Sequence, residues 1–258
     1  MEVEVEKGGK VYTVIINRPE VKNAIDFKTS KQLADAFRSF EEDDGMYAAV
    51  LWGAHGTFCA GADLKALASD PLQEALRLNG DMTADGPLGP TRMLLSKPVI
   101  AAISGYCVAG GLELAIWCDL RVAEEDAVLG IFERRFGVPL IDGGTQRLPR
   151  LIGMSRALDM ILTGRPVGAE EALAMGLVNR VVGKGKAREE AEKLAAQLAG
   201  FPQVCMRNDR EAVYRGIGLE FEAGLELEYR LGIKTLESGE SVSGAGCFAQ
   251  GEGKHGKF

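Results

Sequence analysis

The sequence predicts an α/β core followed by a helical C-terminal region. Short apolar segments of strand length alternate with helical spacing through about residue 182. From residue 186 to about residue 236 the pattern is almost wholly helical. A chain of 258 residues suits one large domain or a core with a small appendage. We therefore predict a core over residues 1–195 and a helical region over residues 196–258, typical of an α/β protein with an appendage.

The first third of the chain contains two predicted strand regions and two predicted helices. Residues 3–19 alternate and then become continuously apolar, which predicts a hairpin that leads into a buried strand. Apolar residues at helical spacing predict a helix over 23–42, with Asp26 as its cap. The apolar segment 48–54 predicts a buried strand, and a Gly-rich loop separates it from a helix that begins near Leu64.

The rest of the chain continues the alternation and then becomes helical. Residues 69–90 contain several turn-forming dipeptides and predict a loop that could serve as a lid. Glycines are concentrated in residues 243–258, which form a Gly-rich tail at the end of the predicted helical region. Further strands are predicted within 97–108, 127–135 and 179–182, and further helices over 153–163 and 169–176.

Composition and charge limit the classes of function. The formal net charge is −7, whereas a broad nucleic-acid surface normally carries an excess of positive charge. The N-terminus does not resemble a signal peptide, and apolar segments are too short to span a bilayer. The five cysteines show no CxxC spacing, which favours reduced, buried thiols. We expect a cytoplasmic protein that binds neither nucleic acid nor membrane.

Two Gly-rich loops, at residues 58–63 and 108–113, each follow a predicted strand and precede a predicted helix. Helix N-termini present free N–H groups, and two such loops side by side could form an oxyanion hole for a carbonyl oxygen. Glu113 stands inside an otherwise apolar helix that begins on glycines. Since carboxylates are rarely buried without a partner, Glu113 is either a satisfied core carboxylate or a catalytic one.

Two further carboxylates are candidates for the same site. Glu133 ends a predicted strand, where it could point into a crevice or could pair with a neighbouring arginine in solvent. Asp142 precedes two glycines and could be a turn or capping residue, or part of a site. The two histidines, His55 and His255, lie far apart without ligands at suitable spacing, so we expect no metal site.

Four segments together resemble the crotonase superfamily, also called the enoyl-CoA hydratase/isomerase family. They are INRPEVKNAID, FCAGADLKAL, KPVIAAISGYCVAGGLELAIWCDLRVA and GTQRLPRLIGMSRALDMILTGRPVGAEEALAMGLVNRVV, which cover most of residues 11–182. The resemblance implies a spiral of ββα units, with a helical C-terminal region that builds trimers or dimers of trimers. It also implies oxyanion-hole N–H groups at Ala60 and Gly110 and catalytic carboxylates at Glu113 and Glu133.

The reaction that this resemblance implies is reversible syn hydration of a trans-2-enoyl-CoA to a 3-hydroxyacyl-CoA, within fatty acid metabolism and β-oxidation. No cofactor is expected, because coenzyme A is part of the substrate. Arg18, Lys22 and Lys257 are candidates for contacting its phosphates. Further substrate-binding residues implied by the resemblance are Ala24, Ala62, Asp63, Leu64 and Gly111.

One departure from the hydratase pattern leaves alternatives open. The segment FERRFGVPLIDGGT places Asp142 where hydratases have a small residue, and dienoyl-CoA isomerases carry an Asp at that place. A double-bond isomerase, with Asp142 as a third catalytic acid, is therefore the second hypothesis. A non-catalytic, RNA-binding relative is a third, and the net charge of −7 argues against it.

Overall fold

The computed structural model describes residues 2–76 and 78–251. The chain divides into two compact units, one up to Leu198 and one from Ala199 onward, which are described separately. The first unit contains both sheets and the second is helical, so the predicted α/β core with a helical C-terminal region is confirmed. Among the described residues, no helix is both long and apolar enough to cross a membrane.

Strands and helices alternate along the first unit, and helices follow. The strands are β1 (Val3–Gly8), β2 (Val11–Ile16), β3 (Ala48–Gly53), β4 (Val99–Ile103), β5 (Tyr106–Val108), β6 (Leu120–Glu124), β7 (Val128–Gly130), β8 (Val167–Gly168) and β9 (Arg180–Val182). The helices are α1 (Phe27–Glu42), α2 (Leu64–Ser69), α3 (Pro71–Ala75), α4 (Gly110–Trp117), α5 (Gly144–Ile152), α6 (Met154–Thr163), α7 (Ala169–Ala174), α8 (Ala187–Ala199), α9 (Gln203–Gly216), α10 (Phe221–Glu237) and α11 (Glu240–Gln250).

The larger sheet has six strands in the order β1-β2-β3-β4-β6-β9. The β1–β2 hairpin is antiparallel, and the remaining neighbours are parallel. Successive side chains of these strands face opposite sides, as the pleat requires. Val14, Leu51 and Ile103 face the main core, whereas alternate residues such as Val50 and Ile100 pack in a second cluster with α8. Both faces are thus covered, as is usual for parallel strands.

The smaller sheet places the two Gly-rich loops beside each other. It has the order β5-β7-β8, with β5 and β7 parallel. The loop after β3 joins it through an isolated parallel bridge between Cys59 and Cys107. Val108 donates its N–H to the Cys59 carbonyl at 3.1 Å. The two segments that follow Cys59 and Cys107 therefore start side by side, and they lead to the N-termini of α2 and α4.

Several predicted elements are confirmed. The hairpin, the strand at β3 and the start of α2 at Leu64 agree with the prediction. Asp26 caps α1, because its carboxylate accepts the Thr29 N–H at 2.8 Å. The predicted start of that helix at residue 23 is wrong: Lys22 and Asn23 have positive φ angles of 53° and 57°, which interrupt a right-handed helix.

One other prediction is corrected. The strand predicted over 127–135 ends at Gly130, and a 3-10 helix covers Phe132–Phe136. The Gly-rich tail forms α11 as far as Gln250, inside the region predicted as helical. In this second unit the Glu240 carboxylate accepts the N–H groups of Val204 and Cys205 at 3.0 and 2.8 Å, so tertiary contacts accompany a sequence of weak helix formers.

The cysteines agree with the prediction of reduced thiols. All five are free, and Cys59, Cys107 and Cys118 are buried. Burial raises the pKa of the Cys59 thiol to about 12, so it stays protonated and packs as a small apolar group.

Candidate active site

A cavity of about 330 Å³ lies in the first unit beside the N-terminus of α4. Its wall is mostly apolar, but it includes the carboxylates of Glu74, Glu113, Glu133 and Asp142. The other lining residues are Ala60, Ala62, Leu64, Leu67, Leu78, Pro87, Leu88, Val108, Ala109, Gly110, Phe132, Phe136, Val138, Pro139 and Ile141. An apolar cavity with a few polar groups is the usual form of a small-molecule site.

The two Gly-rich loops both line this cavity and lie against each other. Gly61 has a φ of +93°, and a Cβ atom added there would stand 2.8 Å from the amide nitrogen of Gly110. Ala109 has a φ of 55° and turns the chain from β5 into α4. Its N–H donates to the carbonyl of Gly130 at 2.8 Å, which holds this strained residue in place.

Three backbone N–H groups in these loops lack acceptors within residues 2–76 and 78–251: those of Ala62, Gly110 and Gly111. Of these residues, Ala62 and Gly110 line the cavity. Ile25 forms a parallel bridge with Ala62 by bonding to the carbonyl of Gly61 and the N–H of Asp63. In a parallel bridge the residue opposite directs its own N–H to the other side. Gly110 is the first residue of α4, so its N–H has no acceptor within the helix.

Ala60, the predicted oxyanion-hole residue in the first loop, is corrected. Its N–H donates to the carbonyl oxygen of Lys22 at 3.1 Å, so it is not free to bind a substrate oxygen. Ala60 still lines the cavity, and the free N–H group in this loop belongs to Ala62, two residues later. The N–H group of Gly110, also predicted for the oxyanion hole, donates to no described residue.

Glu113 lies in the first turn of α4, is only 2% exposed and faces the cavity. Its Oε1 accepts two backbone N–H groups, from Asp142 at 3.0 Å and from Gly144 at 2.7 Å. Burial raises the pKa of Glu113 to about 8, and the charges of Asp142 and Glu133 add to this effect. Glu113 is therefore a fixed carboxyl group that titrates near neutral pH.

Glu133 is buried in the same cavity wall, within the 3-10 helix that follows β7. Neither of its carboxylate oxygens has a hydrogen-bond partner among the residues that the structure describes. The neighbouring arginines do not pair with it: Arg134 donates to the Ile161 carbonyl and Arg135 to that of Gly164. Burial raises the pKa of Glu133 to about 7. The solvent-paired alternative is thus wrong.

Asp142 is also buried and lines the cavity. Its Oδ1 accepts the N–H of Leu88 at 2.9 Å and the hydroxyl of Thr91. It does not cap α5, since Gly143 with a φ of 97° is the N-cap and that cap has no side-chain hydrogen bond. The carboxylate instead joins two segments of chain that lie far apart in sequence.

The residues predicted to bind substrate fall into two groups. Ala62 and Leu64 line the cavity, whereas Ala24, Asp63 and Gly111 do not. Asp63 caps α2 by accepting the N–H groups of Lys65 and Ala66, both at 3.1 Å. Gly111 serves packing, because a Cβ atom there would stand 2.2 Å from the carbonyl oxygen of Cys59. Their roles toward substrate stay predictions.

The candidate phosphate ligands differ in accessibility. Arg18 is buried and pairs with Asp26 at 2.9 Å and Asp63 at 3.2 Å, so the prediction for Arg18 is wrong. Lys22 is exposed, with its amine 5.2 Å from the centre of the Tyr106 ring. Lys257 lies outside the described residues, as does His255.

Sequence reasoning missed part of the cavity wall. Segment 136–141 supplies apolar side chains to the lining. Apolar residues beside prolines and glycines in otherwise turn-like segments were the available signal, because such loops have little reason to be apolar unless they cover something. The described residues contain no group of three or more side chains arranged to hold a metal ion.

Comparison with known proteins adds independent findings. A family model described as "Enoyl-CoA hydratase/isomerase" matches residues 6–253. The "Probable enoyl-CoA hydratase, mitochondrial" of Dictyostelium discoideum is 35% identical over 245 residues, which cover 95% of this chain and 87% of that protein. The "Carnitinyl-CoA dehydratase" of Proteus mirabilis (strain HI4320) is 36% identical over 250 residues, covering 94% and 93%.

A solved structure is similar over nearly the whole chain. The enoyl-CoA hydratase from Mycobacterium tuberculosis H37Rv matches with a TM-score of 0.88 at 34% sequence identity, and the match covers 96% of each chain. This likeness confirms the predicted spiral α/β fold with its helical C-terminal region.

Proposed function

The chain belongs to the enoyl-CoA hydratase/isomerase family, and from that premise we propose that it hydrates a trans-2-enoyl-CoA reversibly to a 3-hydroxyacyl-CoA. One observation carries this proposal: Glu113 and Glu133 line the same apolar cavity, both with a raised pKa. Syn addition of water needs one group that takes a proton and one that gives a proton, on the same side of the double bond.

The thioester oxygen would lie between the N–H groups of Ala62 and Gly110. Negative charge develops on this oxygen as water adds to C3, because the electrons move toward the carbonyl. Two donors that have no acceptor in the described chain are suited to that charge. Loss of one such donor typically lowers the rate on the order of 100- to 1,000-fold.

The two glutamates would divide the proton transfers. Burial and their mutual repulsion hold one proton on the pair at neutral pH. Two N–H donors stabilise the ionised form of Glu113, whereas Glu133 receives none from the described residues. We assign Glu113 as the base that takes the proton of water and Glu133 as the acid that protonates C2. The hydrogen bonds decide this assignment, because the two pKa values differ by only about one unit.

The test is turnover of crotonyl-CoA by the purified protein, followed by loss of absorbance of the conjugated thioester and by mass spectrometry of the hydrated product. Glu113→Gln and Glu133→Gln should each lower kcat by at least about 100-fold, as expected for a lost acid or base, with the fold intact by circular dichroism. Full activity in either variant would contradict the assignment.

Isomerisation of the double bond is the second candidate, because a third carboxylate, Asp142, also lines the cavity. A panel of 2-enoyl, 3-enoyl, dienoyl and carnitinyl thioesters would separate the two reactions. A hydratase adds the mass of one water to a 2-enoyl-CoA. An isomerase converts a 3-enoyl-CoA to its 2-enoyl isomer without a change of mass.

We also propose that the chain forms homotrimers or dimers of trimers through its helical unit. Large apolar side chains of α10 are exposed in the single chain, including Phe221 at 79% and Tyr229 at 69%. Exposed apolar surface of this kind usually marks an interaction site. Size-exclusion chromatography with light scattering would show a monomer if this proposal is wrong.

A further inference from the structure

Asp142 connects Glu113 to a loop of the cavity wall that contains Leu88 and Thr91. The role inferred for it here rests on the function proposed above. We propose that Asp142 is a positioning residue: it clamps the segment 86–91 so that Leu88 covers Gly110, and it takes no part in proton transfer.

The clamp joins groups that are far apart in sequence. Oδ1 of Asp142 accepts the N–H of Leu88 at 2.9 Å and the hydroxyl of Thr91, both buried. Arg147 reinforces the same junction by donating to the carbonyl of Asp142 at 2.8 Å and to that of Thr91 at 2.7 Å. The carboxylate of Asp142 therefore holds Leu88 and Thr91, and the guanidinium of Arg147 also holds Thr91.

The segment itself is built to receive this clamp. Gly86 and Gly89 exchange two backbone hydrogen bonds of 2.9 and 2.8 Å, which close a tight turn around Pro87 and Leu88. A Cβ atom on Gly86 would stand 2.0 Å from the hydroxyl oxygen of Thr91. Only glycine at that position lets Thr91 reach Asp142.

The clamp reaches both halves of the catalytic site. The Cδ1 atom of Leu88 lies so near Gly110 that a Cβ atom on Gly110 would be 2.5 Å away. Leu88 thus covers the residue that offers the oxyanion-hole N–H. On the other side, the backbone N–H of Asp142 holds Oε1 of Glu113 at 3.0 Å. A shift of Asp142 would move the oxyanion hole and the base together.

The same contacts fix Oδ1 of Asp142 as a hydrogen-bond acceptor. A carboxylate oxygen has two lone pairs in its plane, and the donors from Leu88 and Thr91 occupy both lone pairs of Oδ1. The clamp therefore needs only an acceptor at Oδ1, whereas a proton shuttle would need Oδ2 to take up and release a proton. Asn at position 142 can keep the acceptor oxygen, whereas it cannot carry a proton, so Asp142→Asn separates the two roles.

The experiment compares Asp142→Asn, Asp142→Ala, Thr91→Val and Thr91→Ser with the unchanged chain. If Asp142 is a positioning residue, the Asn and Ser variants retain at least about a third of kcat on crotonyl-CoA. The Ala and Val variants lose on the order of 10- to 100-fold, because misplacement of catalytic groups has effects of this size. Thr91→Val carries the test even if Asp142→Ala fails to fold.

A second measurement does not depend on turnover. The backbone N–H of Leu88, within the peptide that spans residues 86–92, should exchange about tenfold faster in Asp142→Ala, because it loses its acceptor. Exchange of this peptide should also be faster in Thr91→Val, because that variant loses the hydrogen bond from the hydroxyl. The Asn and Ser variants should stay protected. Butyryl-CoA has no double bond to hydrate, and its binding can be measured by calorimetry. Its affinity should be lower in Asp142→Ala and Thr91→Val than in Asp142→Asn and Thr91→Ser.

The outcomes are distinguishable. If Asp142→Asn loses as much activity as Asp142→Ala while Thr91→Val is normal in rate and exchange, Asp142 transfers a proton and the positioning proposal is overturned. If the unchanged chain does not hydrate crotonyl-CoA, the proposed function fails, yet exchange and butyryl-CoA binding still decide the role of Asp142.

Discussion

A Cβ atom on Gly61 would stand 2.8 Å from the amide nitrogen of Gly110, so the two Gly-rich loops touch through their backbones. This distance is shorter than any ordinary contact of a Cβ atom. Ala62 directly follows Gly61, and Ala62 and Gly110 both line the cavity with N–H groups that have no acceptor among the described residues.

We predict that Gly61→Ala abolishes most hydration while the chain still folds. The methyl group would push the backbone of Gly110 away, and a φ of +93° adds strain for any side chain. The oxyanion hole would open, and kcat on crotonyl-CoA should fall at least about 100-fold. Unfolding in urea should show a loss on the order of 1–3 kcal/mol.

Gly168→Ala is the matched control for this substitution. Gly168 has a φ of −78°, and a Cβ atom there meets nothing within 4 Å. Its activity and its urea midpoint should equal those of the unchanged chain. Comparable activity of Gly61→Ala and Gly168→Ala would show that contact between the loops is unimportant for the reaction.

We predict a bell-shaped dependence of kcat on pH. Glu133, with a pKa of about 7, and Glu113, with a pKa of about 8, must together hold one proton. Below about pH 7 both carboxyl groups are protonated and the base is lost; above about pH 8 both are ionised and the acid is lost. Rates of crotonyl-CoA hydration from pH 5.5 to 9.5 would measure this. A rate constant that stays level from pH 5.5 to 9.5 would exclude the pair as acid and base.

Much of this arrangement could be predicted from the sequence, because it depends on local patterns. An apolar helix that begins on glycines and contains Glu113 already limits that carboxylate to two roles, a satisfied core group or a catalytic group. The cap at Asp26 and the strand at β3 likewise follow from short-range spacing. Resemblance to a family then placed Glu113 and Glu133 in one site.

The parts that could not be predicted depend on contacts between distant segments. The N–H of Ala60 donates to the carbonyl oxygen of Lys22, and nothing within the loop sequence indicates this hydrogen bond. Asp142 reaches Leu88 across 54 positions, and its local sequence suggested a cap instead. Arg18 looked like a surface cation, yet Asp26 and Asp63 surround it. The spacing of apolar residues along the chain does not reveal contacts of this kind between distant residues.

The raised pKa of Glu133 also predicts a dependence of stability on pH. Its ordinary value of 4.5 applies to the unfolded chain, and burial raises it to about 7 in the folded chain. Between these two values the folded state binds more protons, so the contribution of Glu133 to the free energy of unfolding falls as pH rises. Glu133→Gln removes this loss.

Urea unfolding at pH 5 and pH 8 would measure the effect. At each pH, the quantity to compare is the free energy of unfolding of Glu133→Gln minus that of the unchanged chain. This difference should be more positive at pH 8 than at pH 5 by on the order of 2 kcal/mol. Glu189→Gln is the control: its carboxylate is on the surface, and Lys193 and Lys186 lower its pKa to about 2, below both test conditions. An equal difference at both pH values for Glu133→Gln would contradict the prediction.

The two cations near the loops should respond in opposite ways to substitution. Arg18 is buried between Asp26 and Asp63, and it donates to the carbonyl of Ala24. Arg18→Ala leaves two carboxylates without their cation, so the free energy of unfolding should fall by about 3 kcal/mol. Lys22→Ala removes an exposed amine and should leave the urea midpoint unchanged.

Kinetics at two salt concentrations complete this comparison. If Lys22 contacts the phosphates of coenzyme A, Lys22→Ala raises KM for crotonyl-CoA at low salt, and the effect shrinks at high salt because the ions screen an exposed pair. Arg18→Ala should show no such salt-dependent change in KM, since its guanidinium already pairs with the carboxylates of Asp26 and Asp63. A stable Arg18→Ala variant with a salt-dependent rise in KM would instead make Arg18 the phosphate ligand, because loss of a structural ion pair does not produce that combination.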